Sequence, residues 1–141
     1  MVESVRARPR GAERSLPIVD QYIPGTCNIG PAEIARRRRI GHLGLAVTVL
    51  LGVLLLALGA AAPWRLLLAL PATAAAAGYL QARARFCFDY GFRGVYNFDA
   101  LGHHERVAAE EARAQDRRRA RALALGSVAI GLAVGVLATL L

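Results

Sequence analysis

Three long runs without a formally charged residue constrain this chain more than anything else in it. They cover residues 40–62, 66–82 and 122–141, which is 23, 17 and 20 residues out of 141. A helix needs about 20 apolar residues to cross the hydrocarbon core of a bilayer, with a lower limit near 17. Were all three buried in a water-soluble core, the remaining residues would be too few and too charged to cover them. The sequence therefore predicts an all-α membrane protein. Its parts are a transmembrane helical hairpin, a cytoplasmic helical arm and a C-terminal third transmembrane helix.

The predicted organisation has four parts: an irregular cytoplasmic segment over 1–27, the hairpin over 28–94, a charged cytoplasmic helix over 95–121, and the third span over 122–141. Arg6, Arg8, Arg10 and Arg14 interleave with Glu3 and Glu13 without an apolar period, so the first fifteen or so residues read as disordered. Pro17, Pro24 and Pro31 forbid a continuous helix after them, and Ile18, Val19, Tyr22 and Ile23 could lie on a membrane surface or a partner. A signal peptide would place an apolar core close behind the first residues. Here the first 39 are polar, basic and proline-punctuated, so no cleavable leader is expected.

Gly30, Pro31 and Glu33 read as N-cap, first position and first-turn acid of a helix. The turn of the hairpin is expected at Pro63-Trp64-Arg65, with Pro71 kinking the second span and Tyr79 near its far end. Residues 86–98 alternate aromatics with small or polar residues, a strand-like pattern. Directly after a membrane helix they are read as an interfacial segment turning at Gly91 and Gly94. From about Asp99 the sequence favours a polar helix, with Arg106–Glu110 and Glu110–Arg113 as surface pairs.

All 18 basic residues are arginine and the net charge is +8. The absence of lysine, with abundant Ala, Gly and Leu, reads as the coding bias of a GC-rich bacterial genome. It is weak evidence for nucleic-acid binding, and no nucleic-acid partner is expected. The arginines cluster beside the apolar runs, at 36–39, 83–93 and 117–121, so anionic lipid headgroups are the simpler partner. Only Arg65 lies in the turn between the first two runs. The positive-inside rule then places the N-terminus and residues 83–121 in the cytoplasm and the C-terminus outside a bacterial inner membrane.

No Asp, Glu, Lys or Arg lies inside any of the three runs. Ion paths and proton relays usually place ionisable groups there, which disfavours transport by a single copy. Two sets of candidate site residues remain. The first is Cys27 and Cys87, a thiol pair or a reactive Cys87 next to Arg85 and Arg93, weighed against two inert reduced thiols. The second is Ser127, Gly131, Gly135 and Thr139, which recur every four residues on one helix face. This small-residue stripe would let another helix, from a membrane-protein partner or a second copy, approach closely. Gly44, Thr48 and Gly52 form a shorter stripe. His103 and His104 point about 100° apart if helical, so no metal site is assigned to them. No cofactor is expected, and no nucleotide loop, zincin helix or nucleophile elbow is present.

Asn28-Ile29-Gly30, then Glu33, a basic residue and Gly41, a hairpin, and finally Cys87-x-x-Tyr90-x-x-x-Gly94 resemble the YgaP-like two-helix inner-membrane domain family. The resemblance covers residues 28–94. Phe88-Asp89 stands where the family has Pro-Leu, and the runs are richer in alanine. The family domain is often fused to a rhodanese, a sulfur-transferring enzyme, for which this chain has no room. The resemblance implies a hairpin fold and a sulfur-related context, and no activity. The leading expectation is a small non-enzymatic accessory or scaffold subunit of an inner-membrane assembly. The alternative is thiol-based sulfur or redox handling at Cys87, with Cys27.

Overall fold

The structure, a computed structural model, describes residues 21–141. The expected disorder before residue 16, and the apolar pair Ile18 and Val19, lie outside the described residues. The protein is mostly helical. Its elements are α1 (Pro31–Ala57), α2 (Ala62–Arg65), a 3-10 turn (Leu66–Leu68), α3 (Ala69–Ala84), α4 (Phe88–Arg93), β1 (Val95–Tyr96), β2 (Glu105–Arg106) and α5 (Glu110–Ala138).

Helix α1 starts as its sequence implies, with Gly30 as N-cap in extended backbone, Pro31 in the first turn and Glu33 behind it. It stops earlier than the apolar run. Gly59 adopts φ +61°, and the amides of Gly59 and Ala60 donate to the carbonyls of Leu56 and Leu55. This reciprocal pair of bonds closes the helix and needs a left-handed residue after the cap, which glycine supplies without strain. The turn of the hairpin is therefore residues 58–61, and Pro63 opens α2 instead of breaking a helix. Pro71 lies three residues into α3. It lacks the amide that would bond the carbonyl of Leu67, and its ring crowds that carbonyl. The irregularity sits on that side, as the 3-10 turn at Leu66–Leu68.

Helix α3 is the middle helix, packed against α1 and against α5. Its residues are small, and the approach is close. A Cβ placed on Gly78 would lie 2.6 Å from the Cα of Gly41, and one on Gly44 would lie 2.6 Å from the amide nitrogen of Ala75. On the other flank a Cβ on Gly131 would lie 2.7 Å from the carbonyl oxygen of Ala69, and one on Gly135 would lie 2.9 Å from the Ala69 Cβ. The helices thus pack backbone against backbone, as small-residue seams permit.

The large apolar side chains point outwards. Leu50 on α1 is 70% exposed and Leu132 on α5 is 55% exposed, with similar neighbours along both helices. α1 and α5 are each long and apolar enough, by length and composition, to cross a membrane. α3 has 16 residues and is the most enclosed of the three.

Two sequence expectations are corrected here. Residues 95–109 are not helical: β1 and β2 pair antiparallel, with Val95 opposite Arg106 and Tyr96 opposite Glu105. The Asn97 side chain accepts from the Asp99 amide and donates to the Ala100 carbonyl, and Gly102 turns at φ +89°. These local bonds compete with a helix and win. The helix begins at Glu110 and runs unbroken through the apolar run to Ala138, so arm and third span are one element. Glu110 pairs with Arg113 at 3.5 Å and Arg117 at 2.6 Å, while Arg106 lies in the strand. Residues 86–98, expected to turn at Gly91 and Gly94, contain α4, which includes Gly91, and β1, with the left-handed turn at Gly94.

Candidate functional site

The chain reverses after α3 at Arg85, the only non-glycine described residue with positive φ, at +52°. That turn sends Phe86 and Cys87 inward, and both have no exposed surface. The segment 27–30 passes alongside. The Asn28 amide donates to the Arg85 carbonyl at 3.1 Å. Its side chain then brackets Cys87: Nδ2 donates to the Cys87 carbonyl at 3.0 Å, and Oδ1 accepts from the Cys87 amide at 2.7 Å. Asn97 extends the stitching, since its amide donates to the Asn28 carbonyl and its carbonyl accepts from Gly30.

Helix α1 adds the charged groups. Glu33 has no exposed surface. Its Oε1 accepts from the Tyr90 hydroxyl at 3.0 Å, and its Oε2 lies 3.6 Å from Arg37 and 3.7 Å from Arg36. Arg37 also donates through Nη2 to the Cys87 Sγ at 3.0 Å. One guanidinium thus joins a carboxylate to a thiol. Oε2 of Glu33 and Nε of Arg37 are buried without a hydrogen bond among the described residues. Ile29, Cys87, Tyr90 and Val95 form the apolar side of this knot.

Burial pushes the Cys87 thiol above its ordinary pKa, against the opposing pull of the α4 amides and Arg37. Burial, then the hydrogen bond and charge of Glu33, push Tyr90 up as well. The neutral thiol is the resting form, and it is sealed from solvent. The arrangement holds three segments together. Nucleophilic or sulfur-transfer chemistry at Cys87 would first require the cover to open.

The two cysteines lie on segments that hydrogen-bond to one another, yet no disulfide joins them. Cys27 is buried, its Sγ 3.8 Å from the Ile29 carbonyl, and it is outside the apolar cluster that contains Cys87. The helix-packing set divides. Ser127, 2% exposed, turns its hydroxyl back to the Leu123 carbonyl. Gly131 and Gly135 meet α3 of the same chain, as above. Thr139 is past the helix end, bonded to Val136. The helix that takes up this stripe is therefore α3. His103 lies near Asp99 at 3.4 Å and His104 beside the Tyr90 ring, so they face different neighbours.

Sequence reasoning missed Asp116. It has no exposed surface, and accepts from the Tyr22 hydroxyl at 2.8 Å and the Gly25 amide at 2.7 Å. Burial and the carboxylate push the Tyr22 phenol far up, and Tyr22 stacks on Tyr96 with centroids 4.7 Å apart. The signal was present. Ala112, Asp116, Ala120, Leu123, Ser127, Gly131 and Gly135 recur at helical spacing, so the stripe continues backwards through the charged arm.

No protein-family model, curated protein or solved structure matches the chain. Asn28, Gly30, Glu33, Cys87 and Tyr90, which stand in short motifs of the sequence, all belong to the knot or its edge.

Proposed function

We propose that this chain is a small non-enzymatic accessory or scaffold subunit of a bacterial inner-membrane assembly. It spans the bilayer three times, through α1, the α2–α3 arm and α5, with the N-terminal segment and the Cys87 knot cytoplasmic and the C-terminus outside. The observation that carries this reading is the division of its surface. Apolar side chains face outwards along α1 and α5, while the groups capable of chemistry are sealed: Glu33 and Cys87 have no exposed surface. In water such an outward-facing apolar surface would be an aggregation site; in lipid it is satisfied. The small-residue stripe is occupied by α3, so a partner would dock on the exposed faces of α1 or α5 or on the cytoplasmic arm.

Arg37 on the Cys87 sulfur favours the second reading, a thiol-based sulfur or redox handler, because a guanidinium at 3.0 Å would stabilise a thiolate once the cover opened. Purification in mild detergent followed by native mass spectrometry separates the two. Recovery in a stoichiometric membrane complex, with Cys87→Ser recovered equally, supports the scaffold. Monomeric protein carrying a persulfide on Cys87 supports the thiol reading and contradicts the scaffold.

A further inference from the structure

On one side of the α1–α3 seam the surface changes character along its length. At the end nearest the Cys87 knot is a recess of about 450 Å³ whose lining includes Arg38, Arg83 and Arg85 beside Ile34 and Ala35. Further along is an apolar groove of about 320 Å³, floored by Ala72, Ala75 and Ala76 of α3 and walled by Leu45 of α1 and Ile130 of α5. The two are on the same side of the seam. Arg38 and Leu45 are seven residues apart, two turns of α1, and Arg83, Tyr79, Ala76 and Ala72 follow one another at spacings of four, three and four on α3. Between them the Tyr79 hydroxyl is 2.7 Å from Nδ1 of His42.

The three arginines are exposed, and none forms an ion pair with a described residue. Three like charges converge on one recess whose described lining contains no carboxylate. Arg85 does so from a left-handed backbone, a conformation unfavourable for a non-glycine residue. The groove below is open because α3 floors it with Ala72, Ala75 and Ala76, with Tyr79 and Leu80 towards one end. A slot of this shape, apolar along its length and cationic at its mouth, matches a molecule with a phosphate at one end and a hydrocarbon chain at the other.

The geometry points to a binding site for one anionic phospholipid, its phosphate on Arg38, Arg83 and Arg85 and an acyl chain on the alanine floor. The inference rests on the membrane reading above and names the lipid class and the residues that select it. Basic recesses between membrane helices at the cytoplasmic face are a recurrent way to hold such headgroups. Tyr79 and His42 stand at the level where headgroup gives way to chain, the Tyr79 hydroxyl bonded to Nδ1 of His42.

The test is electron spin resonance of the full chain in bilayers of mixed phosphatidylglycerol and phosphatidylcholine, with one lipid species spin-labelled at a time. Resistance to alkaline extraction is checked first: a chain that washes out contradicts the membrane reading itself. For inserted protein the motionally restricted fraction should favour phosphatidylglycerol. Replacing Arg38→Gln with Arg83→Gln should reduce that preference by roughly fivefold per arginine. The pair Arg39→Gln with Arg118→Gln removes the same charge away from the recess and should change it little. Ala76→Phe, which fills the groove and keeps the arginines, should also release the lipid. Excess inorganic phosphate at fixed ionic strength should not compete. No lipid preference in inserted protein would overturn the site. So would equal losses in the two arginine pairs, which would mean diffuse surface potential, or displacement by phosphate, which would mean a small-anion site.

Discussion

Tyr90 donates a hydrogen bond to a carboxylate that has no contact with water, and this makes it the most informative single residue to remove. Tyr90→Phe leaves Oε1 of Glu33 buried without a donor, and an unsatisfied buried group of this kind costs about 1–3 kcal/mol. A lower thermal midpoint in detergent, with insertion unchanged, is the expected outcome. Arg37→Gln should cost more, about 3–5 kcal/mol, because it breaks a buried ion pair and strands the Glu33 charge. Cys87 gives a pH dependence whose sign follows from burial. Its pKa is raised in the folded protein, so the folded state holds the proton more tightly than the unfolded chain does. Stability from this group is complete below the ordinary thiol pKa of about 8.5 and is lost as pH rises from there towards the folded value. Thermal midpoints should therefore fall above pH 8.5 in the wild type and fall less in Cys87→Ala. Equal falls would mean that other groups dominate. At this scale the sequence marks the right residue types, since Asn28, Glu33, Cys87 and Tyr90 stand in recognisable short motifs. It does not show that they share one site. Their convergence depends on the left-handed turn at Arg85, a conformation that an arginine does not advertise.

Among the elements, α5 differs most from its reading in sequence. The change from charged to apolar at residue 122 suggests two segments. The backbone ignores it, because no glycine cap or proline interrupts 110–138 and the buried face runs through both halves. At 29 residues the helix is about 43 Å long, enough to cross a hydrocarbon core of about 30 Å and project beyond it. The region before it was misread for the opposite reason. Composition over 99–109 favours a helix, but Asn97 and Gly102 build a turn, and two residues of ladder suffice to hold it. The termini of α1 were better written: Gly30-Pro31 opens it and Gly59 closes it, although the apolar run continues past the stop. The packing of α3 against α5 gives a direct test. Gly131→Leu would force a side chain into the backbone of Ala69 and the side chain of Thr73, whereas Val136→Leu changes an outward face that is 53% exposed. Gly131→Leu should destabilise by at least the 1–3 kcal/mol typical of overpacking, and should expose α5 to proteolysis in detergent. Val136→Leu should behave as wild type. Equal behaviour would mean that α5 is not held by this seam.

Over the described residues the molecule is a three-helix layer with its charged side chains, Arg65 apart, gathered at one end. Residues 21–30, α4 and the β1–β2 hairpin pack around the start of α1, the end of α3 and the start of α5, and buried Asp116 and Glu33 fasten them there. Mostly helical structure and two long apolar helices were legible from run lengths alone. The role of the second run was not. Its small residues make it the packed middle of the layer, a property set by its neighbours and not by its hydrophobicity. The central claim is that this layer sits in a bilayer with the knot on the cytoplasmic side. A reporter active only in the periplasm, fused in turn after Asn97 and after Leu141, tests it most directly. The account predicts a silent reporter after Asn97 and an active one after Leu141. Activity after Asn97 with silence after Leu141, or silence at both positions, would contradict it.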